Sequence, residues 1–137
     1  MDDLLKTFQI SASGLKAQST RLRIISENVA NADSLPQQLG DEPYRRKLVT
    51  FRNELDKRIG LDTVRVDKIR PDDSEFKKQF NPSHPAADAD GYVLTPNVNT
   101  LIEMSDMREA QRSYQANLKV LETTRSLAGR TLDLLRG

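Results

Sequence analysis

The stretch LKTFQISASGLKAQSTRLRIISENVANADS, Leu5 to Ser34, opens with a strict alternation of three- and four-residue steps and closes on small and polar residues. Leu5, Phe8, Ala12, Leu15, Ser19, Leu22, Ser26 and Val29 form a heptad seam, and six of those eight are apolar. A seam of about 28 residues predicts a helix of roughly 42 Å, with Asp2 and Asp3 well placed at its positive N-terminus. Pro36 sets the latest position at which it can stop.

The far end of the chain repeats the pattern. Met104, Met107, Gln111, Tyr114, Leu118, Leu121, Arg125, Ala128, Leu132 and Leu135 step by three and four, and eight of those ten are apolar. Thr100 and Glu103 have the spacing of a capping box, with Pro96 just outside it, which predicts a helix start at Thr100. Glu109 with Arg112, Glu122 with Arg125 and Asp133 with Arg136 are opposite charges at i,i+3.

Between these ends the pattern changes. Tyr44 to Phe51 and Leu61 to Asp67, where Val64 and Val66 alternate with charged residues, predict short antiparallel strands. Thr50 to Ile59 could equally form two helical turns. Pro71 to Ser74, Asn81 to Pro85 and Asp90-Gly91 carry turn chemistry and enclose a long loop. The expected fold is α+β. Residues 1–34 and 98–137 form a terminal domain whose long helices pair as an antiparallel coiled coil, and residues 35–97 form a small β-rich inserted domain.

Composition narrows the chemistry. The 137 residues are 36% hydrophobic and 5% aromatic with no Trp, so one modest domain with a thin core is expected. Lys and Arg number 21 against 20 Asp and Glu, and a net charge of +1 gives no field that favours nucleic acid. Without cysteine there is no disulfide, thiolate nucleophile or cysteine metal site. The acidic start MDDLLKTFQI is unlike a cleaved signal peptide, and no run approaches the length of a membrane span. A site outside the cytoplasm therefore implies another export route.

Candidate sites are few. Asp88-Ala-Asp90-Gly91 matches positions 3, 5 and 6 of a calcium loop, but Ala86 and Asn97 stand where the first and last ligands belong, so a turn closed by Gly91 is expected. His84 is the only histidine and has no second histidine or cysteine to complete a metal shell. No phosphate loop, nucleophile elbow or zinc-protease motif is present, so no enzyme, cofactor or small-molecule substrate is expected. Arg45, Arg46 and Lys47 read as a solvated strand face.

The two seams can close on each other as a self-contained helical hairpin, or pack against other chains. Their small and polar members, Ala12, Ser19, Ser26, Gln111, Arg125 and Ala128, bury little, and closing them loops out the whole middle. Such helices suit a subunit ordered by its neighbours. The alternative is a cytoplasmic hairpin adaptor that binds a partner through its β-rich insertion.

The chain resembles the axial proteins of the bacterial flagellar rod, hook and filament, and within them the proximal-rod subunits. Ser11 to Leu15, Gln18, Arg21 and Glu27 to Asp33 resemble their shared N-terminal signature. Tyr44 to Lys47, His84-Pro85, Asp88-Ala89, Gly91 to Val93, Pro96 to Asn99, Glu103-Met104, Asp106-Met107, Ala110, Arg112 to Tyr114 and Ala116-Asn117 resemble the part specific to the rod. Ser34, Ala86 and Asp90 depart from the family's usual Thr, Asp and Asn. The resemblance implies a structural subunit of the basal-body rod, spanning the periplasm and exported without a cleaved signal peptide through the flagellar type III apparatus. It implies other rod proteins and copies of itself as partners, and no membrane insertion. Packing would then fall on Leu5, Phe8, Ala12, Leu15, Leu22 and Val29 of the first helix, on Asn28, Ala30 and Asn31 at its end, and on Met104, Met107, Tyr114, Leu118, Leu121, Ala128, Leu132 and Leu135 of the second.

Overall fold

The chain is described by a computed structural model over residues 2–137. Helix α1 runs Asp2–Ala30, its start reinforced by an Asp2–Lys6 ion pair at 3.1 Å one turn apart. The helix ends where the small and polar stretch begins. Asn31 donates to the Glu27 carbonyl from its backbone N at 3.1 Å and from its side-chain Nδ2 at 2.8 Å, and Ser34 does the same to the Asn31 carbonyl. The Glu27 and Val29 carbonyls, in the last turn of α1, are thus satisfied from just beyond the helix end.

Strands β1 (Lys47–Asp56) and β2 (Leu61–Pro71) form a hairpin. Thr50 to Ile59 is therefore largely strand, and the helical alternative is not realised: Thr63 donates to the Glu54 carbonyl at 3.1 Å, and the turn closes on the Asp56 carbonyl, which accepts from Gly60 at 2.8 Å. Strands β3 (Lys77–Phe80) and β4 (Tyr92–Thr95) pair antiparallel with Lys77 opposite Thr95 and Phe80 opposite Tyr92. The segment read as one long loop thus holds a strand, and Phe80 packs edge-on to Tyr92 across it at 5.4 Å.

Helix α2 runs Thr100–Arg136. Its cap is Asn99, whose Oδ1 accepts from Leu101 N at 3.1 Å and whose carbonyl accepts from Glu103 N at 3.0 Å. The expected capping box is not formed, because the Glu103 carboxylate turns inward to other partners. The three expected i,i+3 ion pairs on α2 are also absent among the described residues, and Glu109 instead lies 3.6 Å from Arg21 of α1.

The chain divides into two compact units, and each helix and each strand of the first hairpin contributes to both. The first unit comprises residues 1–22, 50–68 and 108–137. In it α1 and α2 run antiparallel in close contact, with Arg21 near Glu109, Gly14 against Asn117, and Leu4, Leu5 and Phe8 sharing a groove with Ala128 and Leu132. Small residues are buried on both helices, Ser11 and Ala17 on α1 and Ala110 and Thr124 on α2, and Ala17 lines a cavity with Glu54, Val64 and Val66 of the first hairpin. Small residues let the two backbones approach: a Cβ on Gly14 would lie 2.9 Å from Asn117 Nδ2. The second unit comprises residues 23–49 and 69–107, and its core is built on Ile24, Ile25, Val93, Val98 and Ala86.

The expected α+β architecture is what the structure shows: two long paired helices with small hairpins between them. Heptad positions of both helices, Leu5 and Phe8 with Ala128 and Leu132, share one groove. Leu5, Phe8, Met104, Leu118, Leu132 and Leu135 remain exposed.

Candidate assembly surface

Beside its apolar core the second unit holds a buried polar centre. Asn28, 1% exposed on the last turns of α1, uses its whole amide. Its Oδ1 accepts from Lys47 N at 3.0 Å and from Tyr44 OH at 2.7 Å, and its Nδ2 donates to Lys47 O at 2.9 Å and to Glu103 Oε2 at 3.3 Å. Glu103, on the first turn of α2 and also 1% exposed, accepts from Arg46 Nε through its other oxygen. The Arg46 guanidinium reaches Asp72 at 3.2 Å and Asp106 at 3.5 Å. Asn97 closes the ring of contacts, accepting from Arg46 N at 2.7 Å and donating to the carbonyls of Asp72 at 3.0 Å and Ser74 at 3.1 Å. A buried carboxylate is tolerated because both of its oxygens are hydrogen-bonded and a guanidinium neutralises it.

The ionisation of these groups follows from their neighbours. Burial works to lower the Arg46 pKa, but hydrogen bonds and charge from Glu103 and Asp72 outweigh it and hold the guanidinium above its ordinary value. The Ser74 backbone N–H, ahead of the Ser74 side chain and Arg46, holds the Asp72 carboxyl below the usual carboxylate range against the opposing effect of burial. Burial, with the negative charges of Glu27 and Glu103, pushes the Tyr44 phenol up.

Sequence reading placed these groups elsewhere. Arg46 belonged to a cluster expected to be solvated, yet its guanidinium is mostly buried in ion pairs. Arg45 donates to the carbonyls of Asp72 and Ser74 and lies 4.1 Å over the Phe76 ring, and only Lys47 of the three is exposed. The signals that could have pointed inward were Asn97 just before the helix cap and Tyr44 just before the basic run, each a polar group with reach across a turn.

The packing residues read from the heptads occupy two situations. Leu5 is 59% exposed and Phe8 43%, and with Leu4, Thr124, Ala128 and Leu132 they line an apolar groove of about 430 Å³ in the first unit. Met104, Leu118, Leu132 and Leu135 are exposed, while Ala12, Leu15, Leu22, Val29, Met107, Tyr114, Leu121 and Ala128 are half-buried. At the end of α1, Ala30 is exposed, Asn31 is half-buried with its amide on the Glu27 carbonyl, and Asn28 is committed to the polar centre.

The loop that resembled a calcium site is a turn. Asp88 Oδ1 accepts from the backbone N–H of Asp90 and Tyr92, both at 2.9 Å, and Gly91 takes φ +84°. His84 Nδ1 accepts from Ala86 N at 3.0 Å. Among the described residues no cluster of three potential metal ligands occurs, and no helix is long and apolar enough to cross a membrane.

Both ends of the chain match family models for flagellar rod proteins. Residues 8–34 match the flagella basal body rod protein family, and residues 89–134 match the C-terminal family of flagellar basal body rod FlgEFG proteins. The chain is 54% identical to the flagellar basal-body rod protein FlgC of Agrobacterium fabrum, over 99% of this chain and 98% of that one. It is 41% identical to FlgC of Salmonella typhimurium over 96% and 97%, and 34% identical to FlgC of Bacillus subtilis over 93% and 95%. The chain belongs to the FlgC family of flagellar basal-body rod proteins. The resemblance read from the N-terminal signature and from the rod-specific motifs is thus borne out across nearly the whole length.

Proposed function

We infer that this chain is a structural subunit of the flagellar basal-body rod and that it assembles through the helical faces it leaves uncovered. One observation carries the reading. Among the described residues the larger aliphatic side chains that are buried are Ile24, Ile25, Val93 and Val98, whereas twenty large hydrophobic ones, among them Leu5, Phe8, Leu118, Leu132, Leu134 and Leu135, stay exposed. Apolar surface on that scale, with twelve of the twenty side chains on the two long helices, suits a protomer whose core is completed by neighbours.

On this reading residues 1–34 and 98–137 form the inner layer of a tube and residues 35–97 its outer face. Leu5, Phe8, Ala12, Leu15, Leu22 and Val29 face neighbouring helices, as do Met104, Met107, Tyr114, Leu118, Leu121, Ala128, Leu132 and Leu135. Asn31 and Ala30 keep the end of α1 narrow where helices crowd. Rigid side-to-side packing of this kind transmits torque and needs no catalytic group, and on this reading the protein reaches the periplasmic span of the rod through the flagellar type III apparatus. Its partners are other rod proteins and copies of itself. Nothing in the fold favours the adaptor alternative, since the β-rich residues supply less uncovered apolar surface than the helices do.

Complementation of a strain lacking its own FlgC-type subunit tests the reading. The unaltered chain should restore rods and swimming, whereas Phe8→Arg with Leu132→Arg, and separately Ala30→Trp, should not. All three positions are exposed, so the purified variants should keep the circular dichroism of the parent. Normal rods from both variants would show that these faces do not pack in the assembly.

A further inference from the structure

Charge is divided unevenly between the two compact units. The first holds 14 Lys and Arg against 9 Asp and Glu, a net +5, and the second holds 7 against 11, a net −4, within a chain whose total is only +1. The excess on each unit is concentrated on one exposed feature.

In the first unit it lies on α2. Arg108, Arg112, Lys119 and Arg130 fall within about 40° of one another around the helix, at about 3.6 residues per turn, on the side opposite the buried Ala110 and Thr124. All four are exposed, and among the described residues none forms an ion pair. Glu122 and Asp133 lie at the edge of this ridge, and Leu127 and Leu134, 45% and 82% exposed, flank it.

In the second unit the excess rims a groove of about 610 Å³. Its floor is apolar, formed by Pro36, Phe76, Ala86 and the exposed Leu39 and Leu94. Asp41, Glu42, Asp73 and Glu75 stand around it, all exposed and, among the described residues, without an ion pair. Of the two cations in the lining, Lys78 is exposed, while Arg45 is turned onto the Phe76 ring and the carbonyls of Asp72 and Ser74.

We propose that the occupant of this groove is a second copy of the chain, which lays the basic ridge of its α2 against Asp41, Glu42, Asp73 and Glu75 and seats Leu127 on the apolar floor. The proposal rests on the rod-subunit reading and deepens it by naming a contact. An exposed row of cations and an exposed acidic rim, each with apolar surface beside it, are complementary in both charge and polarity. Groove and ridge are different surfaces, so the contact is heterologous, and each copy keeps one of each free to extend the series. Exposed charges are screened over about 10 Å at 0.1 M salt, so the association is strongly weakened by salt.

Sedimentation velocity of the purified full chain, at about 0.05 M and about 0.5 M NaCl, reads this directly. The expected result is self-association at low salt that weakens on the order of tenfold or more at high salt. Asp73→Lys with Glu75→Lys, and Lys119→Glu with Arg130→Glu, should each abolish it, with circular dichroism unchanged. An equimolar mixture of the two variants should associate again, because it holds an unaltered groove and an unaltered ridge on different chains. The quadruple variant should also associate, by reversed pairing. The proposal is overturned by variants that associate like the parent, by a mixture that stays monomeric, or by a parent that is monomeric at low salt. A monomeric parent that still restores rods in cells removes copy-to-copy docking and leaves the rod reading intact; a parent that restores no rods removes both.

Discussion

Asn28 and Lys47 meet as if paired in a sheet: the Asn28 amide accepts from Lys47 N at 3.0 Å and donates to Lys47 O at 2.9 Å. A side chain on a helix thereby supplies both partners that the first residue of β1 lacks. Replacing Asn28 with Ala removes four hydrogen bonds in a buried place and leaves the Lys47 backbone and Tyr44 OH without partners. The expected loss is about 3 kcal/mol, since each unsatisfied buried group costs about 1–3 kcal/mol and some will find water. Asn28→Asp should lose more, because it sets a carboxylate beside Glu103. Urea denaturation of the three proteins checks the order.

Arg46 and Glu103 should behave as a unit. Arg46→Met leaves Glu103 buried and unneutralised, an expected loss of about 3 kcal/mol, at the low end for a buried pair because a fifth of the Arg46 side chain is exposed. The double change Arg46→Met, Glu103→Leu should recover much of it. A double-mutant cycle that sums to the single losses would show that the two groups are not coupled.

Acid should weaken the second unit through Asp72. Its carboxyl is held below the ordinary range in the folded chain by Ser74 and Arg46, so the unfolded chain binds a proton more readily. The stability this contributes is present above the unfolded pKa of about 3.9 and is lost as pH falls through the lower folded value. Thermal midpoints measured from pH 6 down to pH 3 should fall less steeply in Asp72→Asn than in the parent.

Gly14 sets the closeness of the helices. A Cβ there would stand 2.9 Å from the Asn117 amide, itself held by a 3.0 Å bond to the Ser113 carbonyl. Gly14→Leu should cost about 1–3 kcal/mol by forcing the helices apart. Gly14→Ala should be milder, because Asn117 can rotate away and the helix gains up to about 1 kcal/mol of propensity.

The sequence made the helices, the first hairpin and the turn at Asp88 legible because period, alternation and turn chemistry are local properties. It hid the close approach at Gly14, because a glycine carries no apolar signal; it is selected by the space beside Asn117, which a single chain position does not reveal. It also hid the polar centre. Glu103 satisfies the spacing of a capping box from Thr100, so a local pattern competed with a partner 57 residues away at Arg46. Strand β3, KKQF, alternates too briefly to be seen without Tyr92 and Leu94 opposite.

The largest side chain fully enclosed by this chain is a glutamate. Unfolding such a chain exposes little new hydrocarbon to water, so its heat-capacity change and its denaturant slope should both fall below those of an ordinary domain of this length. The isolated protein should melt over a broad range and at modest temperature, and the steep, cooperative transition should appear only once copies have joined. What is measured as the stability of one molecule would then be a small fraction of the stability of the tube.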